Sequence, residues 1–293
     1  MHKAGFVNIV GNPNVGKSTL MNQLVGEKLS IATFKAQTTR HRIMGIVNTE
    51  DTQIVFSDTP GVLKPNYKMQ EMMLQFSESA LADADILLYV TDVIEDPEKN
   101  MDFLEKVSKM SIPVILLINK IDESDQKILG KLVTKWHGLL PNAEILPISA
   151  KNKFGVDILL KRVHELLPES PAFFDKDQLT DKPAKFFVSE IIREKILRYY
   201  DKEIPYSVEV VIERFKEDDR QIHISAIIYV ERSSQKGIII GHQGMALKKV
   251  STEARKSLER FFDKKIFLET FVKVDKDWRN SQKELKHFGY SPE

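Results

Sequence analysis

Gly11-Asn12-Pro13-Asn14-Val15-Gly16-Lys17-Ser18 has the spacing G-x-x-x-x-G-K-[ST], and that spacing suits a polyphosphate. The glycines let successive backbone N–H groups turn inward around phosphate oxygens. Lys17 offers a point charge to the β- and γ-phosphates, and Ser18 offers a hydroxyl to Mg²⁺. Thr19 continues into a helix whose first amides face the same anion. The implied ligand is a nucleoside triphosphate of unspecified base. Asn119-Lys120-Ile121-Asp122 speaks to the base. A carboxylate at Asp122 can accept from guanine N1–H and the 2-amino group, which adenine does not present. An unpaired buried carboxylate is costly, so such a site rejects ATP. Asn119 can bond the base and tie neighbouring loops, and the Lys120 stem can lie along the purine. Ser149-Ala150-Lys151 holds a small residue where a backbone N–H can reach guanine O6. Read alone, each of these two loops is equally an ordinary turn after a strand.

Two further segments suit the γ-phosphate. Asp58-Thr59-Pro60-Gly61 offers a carboxylate for water-mediated Mg²⁺ binding and a Gly61 N–H for the phosphate. Ala36-Gln37-Thr38-Thr39-Arg40 is polar and aperiodic. A threonine there can complete the Mg²⁺ shell only while the γ-phosphate is present, which is how a nucleotide switch is built. Spacing alone does not choose between Thr38 and Thr39. A second chemistry is carried by Gly241-His242-Gln243-Gly244, between the apolar residues 238–240 and a lysine-bearing helical pattern. Glycines there allow a close backbone approach. The other reading is a helix–helix turn that uses glycine for its geometry.

These residues need elements to hold them. Residues 6–10, 53–57, 85–90, 113–118 and 144–148 read as strands, most of them continuous apolar runs suited to burial on both faces. Residues 18–25, 68–81, 100–109, 126–136 and 156–167 have helical spacing. The alternation predicts an α/β domain: a mostly parallel sheet with helices on both faces. Residues 42–48 read as an antiparallel edge strand paired with 53–57. The pattern stops near residue 170, and the polar, proline-bearing stretch 171–183 reads as a linker. The expected domains are therefore 1–170 and 184–293. In the second, 186–200 reads as a segment that opens extended and becomes helical. It is followed by strands at 206–215 and 221–230, helices at 234–240 and 245–262, and a strand at 265–274. Trp136, Phe186-Phe187 and Phe261-Phe262 are expected in the core. His164 is expected at the surface. The tail 278–286 is basic, and either packs on the domain or touches a polyanion.

Composition bounds the remaining possibilities. The 293 residues carry a net charge of +1, and there are no cysteines, which excludes disulfides, thiol catalysis and Cys-ligated zinc. No apolar run approaches the ~18 residues of a membrane span, and the N-terminus lacks a signal-peptide plan. The charge is split. Residues 1–183 hold 21 Lys+Arg against 24 Asp+Glu, and residues 184–293 hold 22 against 18. A mildly basic second half is compatible with a polyanion, or simply with a solvated surface.

Taken in order, GxxxxGKS, TT, DTPG, NKID and SAK resemble the translation-factor-related GTPases. Over nearly the whole chain the sequence resembles the Era family: it also carries Gln37-Thr38-Thr39-Arg40-His41-Arg42, Pro205-Tyr206, Glu231-Arg232-Ser233-Ser234-Gln235-Lys236-Gly237 and Trp278-Arg279-Asn280. The resemblance implies a P-loop GTPase domain followed by an α+β KH domain of the bacterial type. It implies GTP or GDP held by residues 11–19, 38–39, 58–61, 119–122 and 149–151, with Ser18, Thr39 and Asp58 at Mg²⁺. Lys17, Thr39, Gly61 and Asn14 are the residues expected to act in hydrolysis. Val62 stands where many GTPases place a water-orienting glutamine, so the unaided rate should be slow. In related GTPases an asparagine at the position of Asn14 helps to hold K⁺; here that role and a purely loop-shaping one both stay open. A KH domain clamps about four nucleotides of single-stranded backbone at its GxxG loop. The expected RNA contacts are Lys236, Gly237, Ile240, Gly241, His242, Gln243, Gly244, Lys248 and Lys249, with residues 238–240 and Met245 walling the bases. His242-Gln243 departs from the usual basic residue between the glycines. The resemblance implies binding near the 3′ end of small-subunit 16S ribosomal RNA, a role in assembly of the small ribosomal subunit, and a peripheral association with the inner membrane; the chain is expected to be cytoplasmic and a monomer. A membrane-associated signalling GTPase coupling growth or cell cycle to a protein partner is the rival reading.

Overall fold

Continuous apolar runs flanked by amphipathic helices leave one economical arrangement, a sheet covered on both faces. The computed structural model describes residues 2–33, 35 and 37–290. Ala36 of the threonine loop lies outside them. The described residues form two compact units, 2–66 with 70–181 and 67–69 with 182–290.

The first unit runs β1 (Lys3–Gly11), α1 (Lys17–Val25), β2 (Ile43–Asn48), β3 (Thr52–Asp58), α2 (Lys68–Ala82), β4 (Ile86–Asp92), α3 (Met101–Ser108), β5 (Val114–Asn119), α4 (Gln126–Leu139), β6 (Glu144–Pro147) and α5 (Val156–Leu166). Its sheet has the order β2-β3-β1-β4-β5-β6, and only β2 runs antiparallel. Every residue of β3 and β4 is buried; β4 opens on the apolar run Ile86–Val90, while β3 buries Ile54, Val55 and Phe56 between the polar Thr52-Gln53 and Ser57-Asp58. The chain leaves β1 for β3 on one side and reaches β4 on the other. The carboxyl ends at this reversal are where α/β sheets bind ligands. The registers Ile9↔Asp58 and Gly11↔Val90 bring the P-loop, Asp58 and the end of β4 to that edge, and Asp92↔Asn119 adds the end of β5.

Residues 168–181 are docked chain. Gln53 accepts from the Phe173 and Phe174 amides at 2.7 and 3.0 Å and donates to the Phe174 carbonyl at 2.8 Å. The Ile46 N–H donates to the Leu179 carbonyl at 2.8 Å, and Thr180 Oγ1 donates to the Met44 carbonyl at 2.6 Å. A polar, proline-bearing stretch thereby covers the free edge of β2, which would otherwise present unpaired amides.

The second unit runs α6 (Ala184–Tyr199), β7 (Glu209–Glu217), β8 (Gln221–Val230), α7 (Ser233–Ile240), α8 (Met245–Phe262), β9 (Lys265–Val274) and α9 (Gln282–His287). The sheet order is β7-β8-β9, with β7 antiparallel and β9 parallel to β8. Val188, Ile192 and Ile196 of α6 meet Ile224 and Ile228 of β8, Ile239 of α7 and Leu258 of α8 in one core.

Three expectations are corrected here. The first segment is helical from Ala184, with no extended opening: Phe187, Val188, Ile192 and Ile196 are buried at helical spacing, and that burial outweighs the strand preference of a Phe pair. The strand expected from residue 206 begins at Glu209, because Ile204–Tyr206 forms a 3₁₀ turn around Pro205. Phe261 is 43% exposed, while Phe187 and Trp136 are buried as expected. The tail packs on its own unit. Trp278, Leu285 and Tyr290 are buried, Trp278 Nε1 donates to the Ser207 carbonyl at 3.2 Å, and Tyr290 Oη donates to Glu209 at 2.6 Å. Its short helix α9 has too few residues to show a period in sequence. Among the described residues, no helix is long and apolar enough to cross a membrane.

Candidate nucleotide site and nucleic-acid interface

The strand–loop–helix junction after β1 is fixed by steric necessity. A Cβ at Gly16 (φ 96°) would lie 2.2 Å from Asn119 Nδ2, so only glycine fits there. Asn14 (φ 68°) and Lys120 (φ 61°) hold left-handed backbone at the same site, a strained conformation that functional loops often retain. The Lys17 ammonium reaches back over the loop to the Gly11 and Asn12 carbonyls at 3.0 and 2.8 Å. It is 5% exposed, and burial lowers its pKa to about 8 against the opposing pull of Asp58 and Glu95.

Ser18 Oγ lies 2.7 Å from Thr39 Oγ1, which in turn donates to Asp58 Oδ2 at 3.3 Å. Burial pushes the Asp58 carboxyl up, and Lys17, Ser18 and Thr39 hold it down. Asp58 Oδ1 is buried with no hydrogen-bond partner. Two hydroxyls converging on a carboxylate with an orphaned oxygen are a donor set that fits a hard divalent cation. Thr38 lines the cavity beside them, but its hydroxyl is engaged elsewhere. Its hydroxyl lies 2.9 Å from that of Thr33 and donates to the Lys35 carbonyl at 2.5 Å. Pro13, Asn14, residues 16–19, Thr39, Gly61, Lys120 and Lys151 line a common cavity of about 720 Å³.

Asn119 joins three loops. Its Nδ2 donates to the Val15 carbonyl at 2.8 Å, and its Oδ1 accepts the Ala150 N–H at 2.9 Å. That amide therefore locks the loops together here. Ser149 Oγ donates to Asp122 Oδ1 at 2.6 Å and fixes the carboxylate, while Asp122 itself stays exposed. Thr59 Oγ1 donates to the Ile9 carbonyl at 2.8 Å and anchors the Asp58–Gly61 turn on β1. Val62 is buried among Val10, Leu104 and their neighbours, so its side chain is turned away from the phosphates. Three partners carried no motif. Asp92 holds Lys120 Nζ at 2.6 Å. Asn100 Nδ2 donates to Asn12 Oδ1 and, at 3.2 Å, to the Val62 carbonyl. Glu95, raised by burial, accepts from Asn12 and Thr91. Asp92 ends β4, and Glu95 and Asn100 lie in the loop that follows, whose polar run Glu95-Asp96-Pro97-Glu98-Lys99-Asn100 looks like any turn.

In the second unit, α7 ends where Gly241 (φ 71°) turns the chain, and a Cβ there would meet the Ala246 Cβ at 2.6 Å. Gln243 and Gly244 are also left-handed, and α8 starts at once. His242, Gln243 and Lys248 are exposed, and Lys236 is half-buried beside the exposed Gly237. Ile238 and Met245 are exposed on either side of the loop, with Ile240 half-buried. Ile239 belongs to the core, and Tyr200 donates to its carbonyl at 2.7 Å. Lys249 sits over the Tyr199 ring, 4.6 Å from its centroid.

A doubly wound sheet with a phosphate loop, two γ-facing segments and an Asn-Lys-x-Asp loop defines a P-loop GTPase, here joined to a three-stranded module with a G-x-x-G turn. Residues 6–120 match the family described as 50S ribosome-binding GTPase, and residues 203–279 match the KH domain. The chain belongs to the Era family of GTPases. It is 44% identical to GTPase Era of Clostridium kluyveri over 292 residues, 99% of this chain and 100% of that one. It is 46% identical to GTPase Era of Geobacter sp. (strain M21), covering 98% of each chain. Its fold matches an Era crystal structure in complex with MgGDPNP and nucleotides 1506–1542 of 16S ribosomal RNA, with TM-score 0.95 and 37% identity over the full length of both chains. It matches a point variant of Aquifex aeolicus Era bound to GDP·AlF4⁻ with TM-score 0.94 and 37% identity, covering 99% of this chain and 100% of that one. The protein is a GTPase.

Proposed function

We propose that this GTPase is a nucleotide-controlled RNA binder. Residues 1–170 form the switch and residues 184–293 the RNA module, with 171–183 between them. GTP or GDP lies in the cavity over the P-loop, with Asn119, Asp122 and the Ser149–Lys151 turn reading guanine. Mg²⁺ is held by Ser18, Thr39 and Asp58, and it would neutralise charge on the phosphates. The observation that favours Thr39 over Thr38 is its hydroxyl between Ser18 and Asp58. Thr39→Ala should raise the Mg²⁺ concentration needed for turnover, and Thr38→Ala should leave it unchanged.

Lys17 steadies the β- and γ-phosphates, and the Gly61 amide faces the γ-phosphate. With Val62 buried, no side chain directly after the D-x-x-G turn orients water, so hydrolysis is slow and acts as a timer. We assign Asn14 to a K⁺ ion beside the phosphates. Turnover should be faster in KCl than in NaCl at equal ionic strength, and equal rates would return Asn14 to loop geometry.

The GHQG turn binds single-stranded RNA near the 3′ end of the small-subunit 16S ribosomal RNA, in support of small-subunit assembly in the cytoplasm. The observation that carries this is the turn itself: Gly241 and Gly244 in left-handed backbone at the start of α8, with exposed Ile238 and Met245 beside it. Helix amides meet phosphate there, and apolar walls meet bases. Lys236, Lys248 and Lys249 add positive charge. Fluorescence anisotropy of a 3′-end RNA, titrated with the protein loaded with a GTP analogue and then with GDP, tests the reading. Tighter binding with the analogue, lost in His242→Asp/Gln243→Asp, supports it. Equal binding in both states removes the switch, since a ligand with equal affinity shifts nothing. A membrane-associated signalling GTPase coupling growth or cell cycle to a protein partner is the rival, and flotation with anionic vesicles separates the two.

A further inference from the structure

Strand alternation divides the second unit's sheet into two faces. Ile222, Ile224, Ile228, Ile266 and Val272 face the core beneath the helices. The opposite face carries Phe267 and Phe271 of β9, each 50% exposed. A solvated sheet face normally shows polar side chains. Two large rings on an edge strand are an aggregation liability unless they serve a contact.

The surroundings of the rings are basic. The registers Lys216↔His223↔Phe267 and Arg214↔Ser225↔Glu269 place Arg214 and Lys216 two strands from β9 on this face, with Lys265 two residues before Phe267. Among the described residues these three cations make no salt bridge, whereas Lys273 at the far end lies 3.5 Å from Glu213. The His223 and Phe267 rings lie 5.6 Å apart. Glu269, between the two phenylalanines, and Asp218, whose Oδ2 lies 3.5 Å from His223 Nε2, are acidic residues the patch must tolerate. Exposed rings flanked by unpaired cations suit a polyanion with accessible base faces, which is single-stranded nucleic acid. A duplex hides those faces.

We propose that this outer face is a second single-stranded RNA contact, with Phe267 and Phe271 stacking on bases and Arg214, Lys216 and Lys265 meeting phosphates. It rests on reading this unit as an RNA module. Four residues along a strand put the rings about 13 Å apart, so they serve separate bases. Because α7 and α8 both pack on β9, a strand leaving the GHQG turn rounds the β9 edge to reach them.

The test uses the full chain and two labelled single-stranded RNAs of about six and about twenty nucleotides. The short RNA reports on the GHQG turn alone. Phe267→Ala/Phe271→Ala should weaken the long RNA about tenfold or more and leave the short one unchanged, since each stacked base contributes about that much. GTP turnover and circular dichroism check that the variant folds. Independently, the indole introduced by Phe267→Trp should be quenched by the long RNA, measured against the native tryptophans. Unchanged long-RNA affinity with a silent indole overturns the proposal while short-RNA binding keeps the GHQG reading. Self-association of the wild type that the double variant abolishes, with a silent indole, assigns the face to a second copy and overturns it too. No binding of either RNA overturns both readings.

Discussion

Lys17 shows how much one buried charge controls. Its ammonium titrates near 8 because burial removes it from water. Bound phosphates favour the charged form and raise its pKa, so binding above pH 8 requires proton uptake. Nucleotide affinity should therefore be flat below pH 8. Above it, affinity should fall by up to about tenfold per pH unit, as read by titrating a fluorescent GDP between pH 7 and 9.5. Asn100 makes a different point. It ties Asn12 of the P-loop to the Val62 carbonyl just after the Asp58–Gly61 turn, far from either in sequence. Removing those bonds should loosen that turn more than the base site. Asn100→Ala is expected to lower kcat about tenfold, roughly 1.4 kcal/mol, while GDP affinity changes less than about threefold.

Among the elements, the ends of strands decide function and the middles decide stability. β4 and β5 were readable because burial on both faces demands apolar runs, and β1 and β3 from shorter apolar stretches around buried polar residues such as Asn8, Gln53 and Ser57. Their carboxyl ends were readable because phosphate and guanine chemistry demands particular side chains there. The end of β4 and the loop after it were not readable, since Asp92 and Asn100 act through partners that only folding brings near. The same holds for residues 171–183: their proline and polarity suggest a tether, yet backbone pairing with β2 needs no side-chain pattern at all. Trp278 is a further case. At the head of a basic stretch it offers no period, but its ring is fully buried. Trp278→Ala should destabilise the second unit by about 3–5 kcal/mol, seen as a lower denaturation midpoint, with GTP binding intact.

At the scale of the molecule, each unit has its own apolar core. Calorimetry should resolve two unfolding transitions, and GDP at about a hundred times its Kd should stabilise only the first unit, by about 2.7 kcal/mol. A single transition that moves as a whole would show the units to be cooperative. The sequence alone determined the order of strands and helices and the two glycine turns, because hydrophobic period and φ > 0 are local requirements. It also singled out the phosphate loop by its G-x-x-x-x-G-K-S spacing, whereas the two loops proposed for the base gained that reading only from the resemblance of the whole set of motifs. The choice of Thr39 over Thr38 belongs to tertiary structure, since a hydroxyl's direction depends on what packs against its loop. So do the docking of 168–181 on β2, the inward turn of Ile239 and the outward one of Phe261, and the pairing of Phe267 and Phe271 with distant cations on one open face. Each of these is a contact between segments far apart in the chain, and local pattern carries no information about which of two allowed faces the fold will bury.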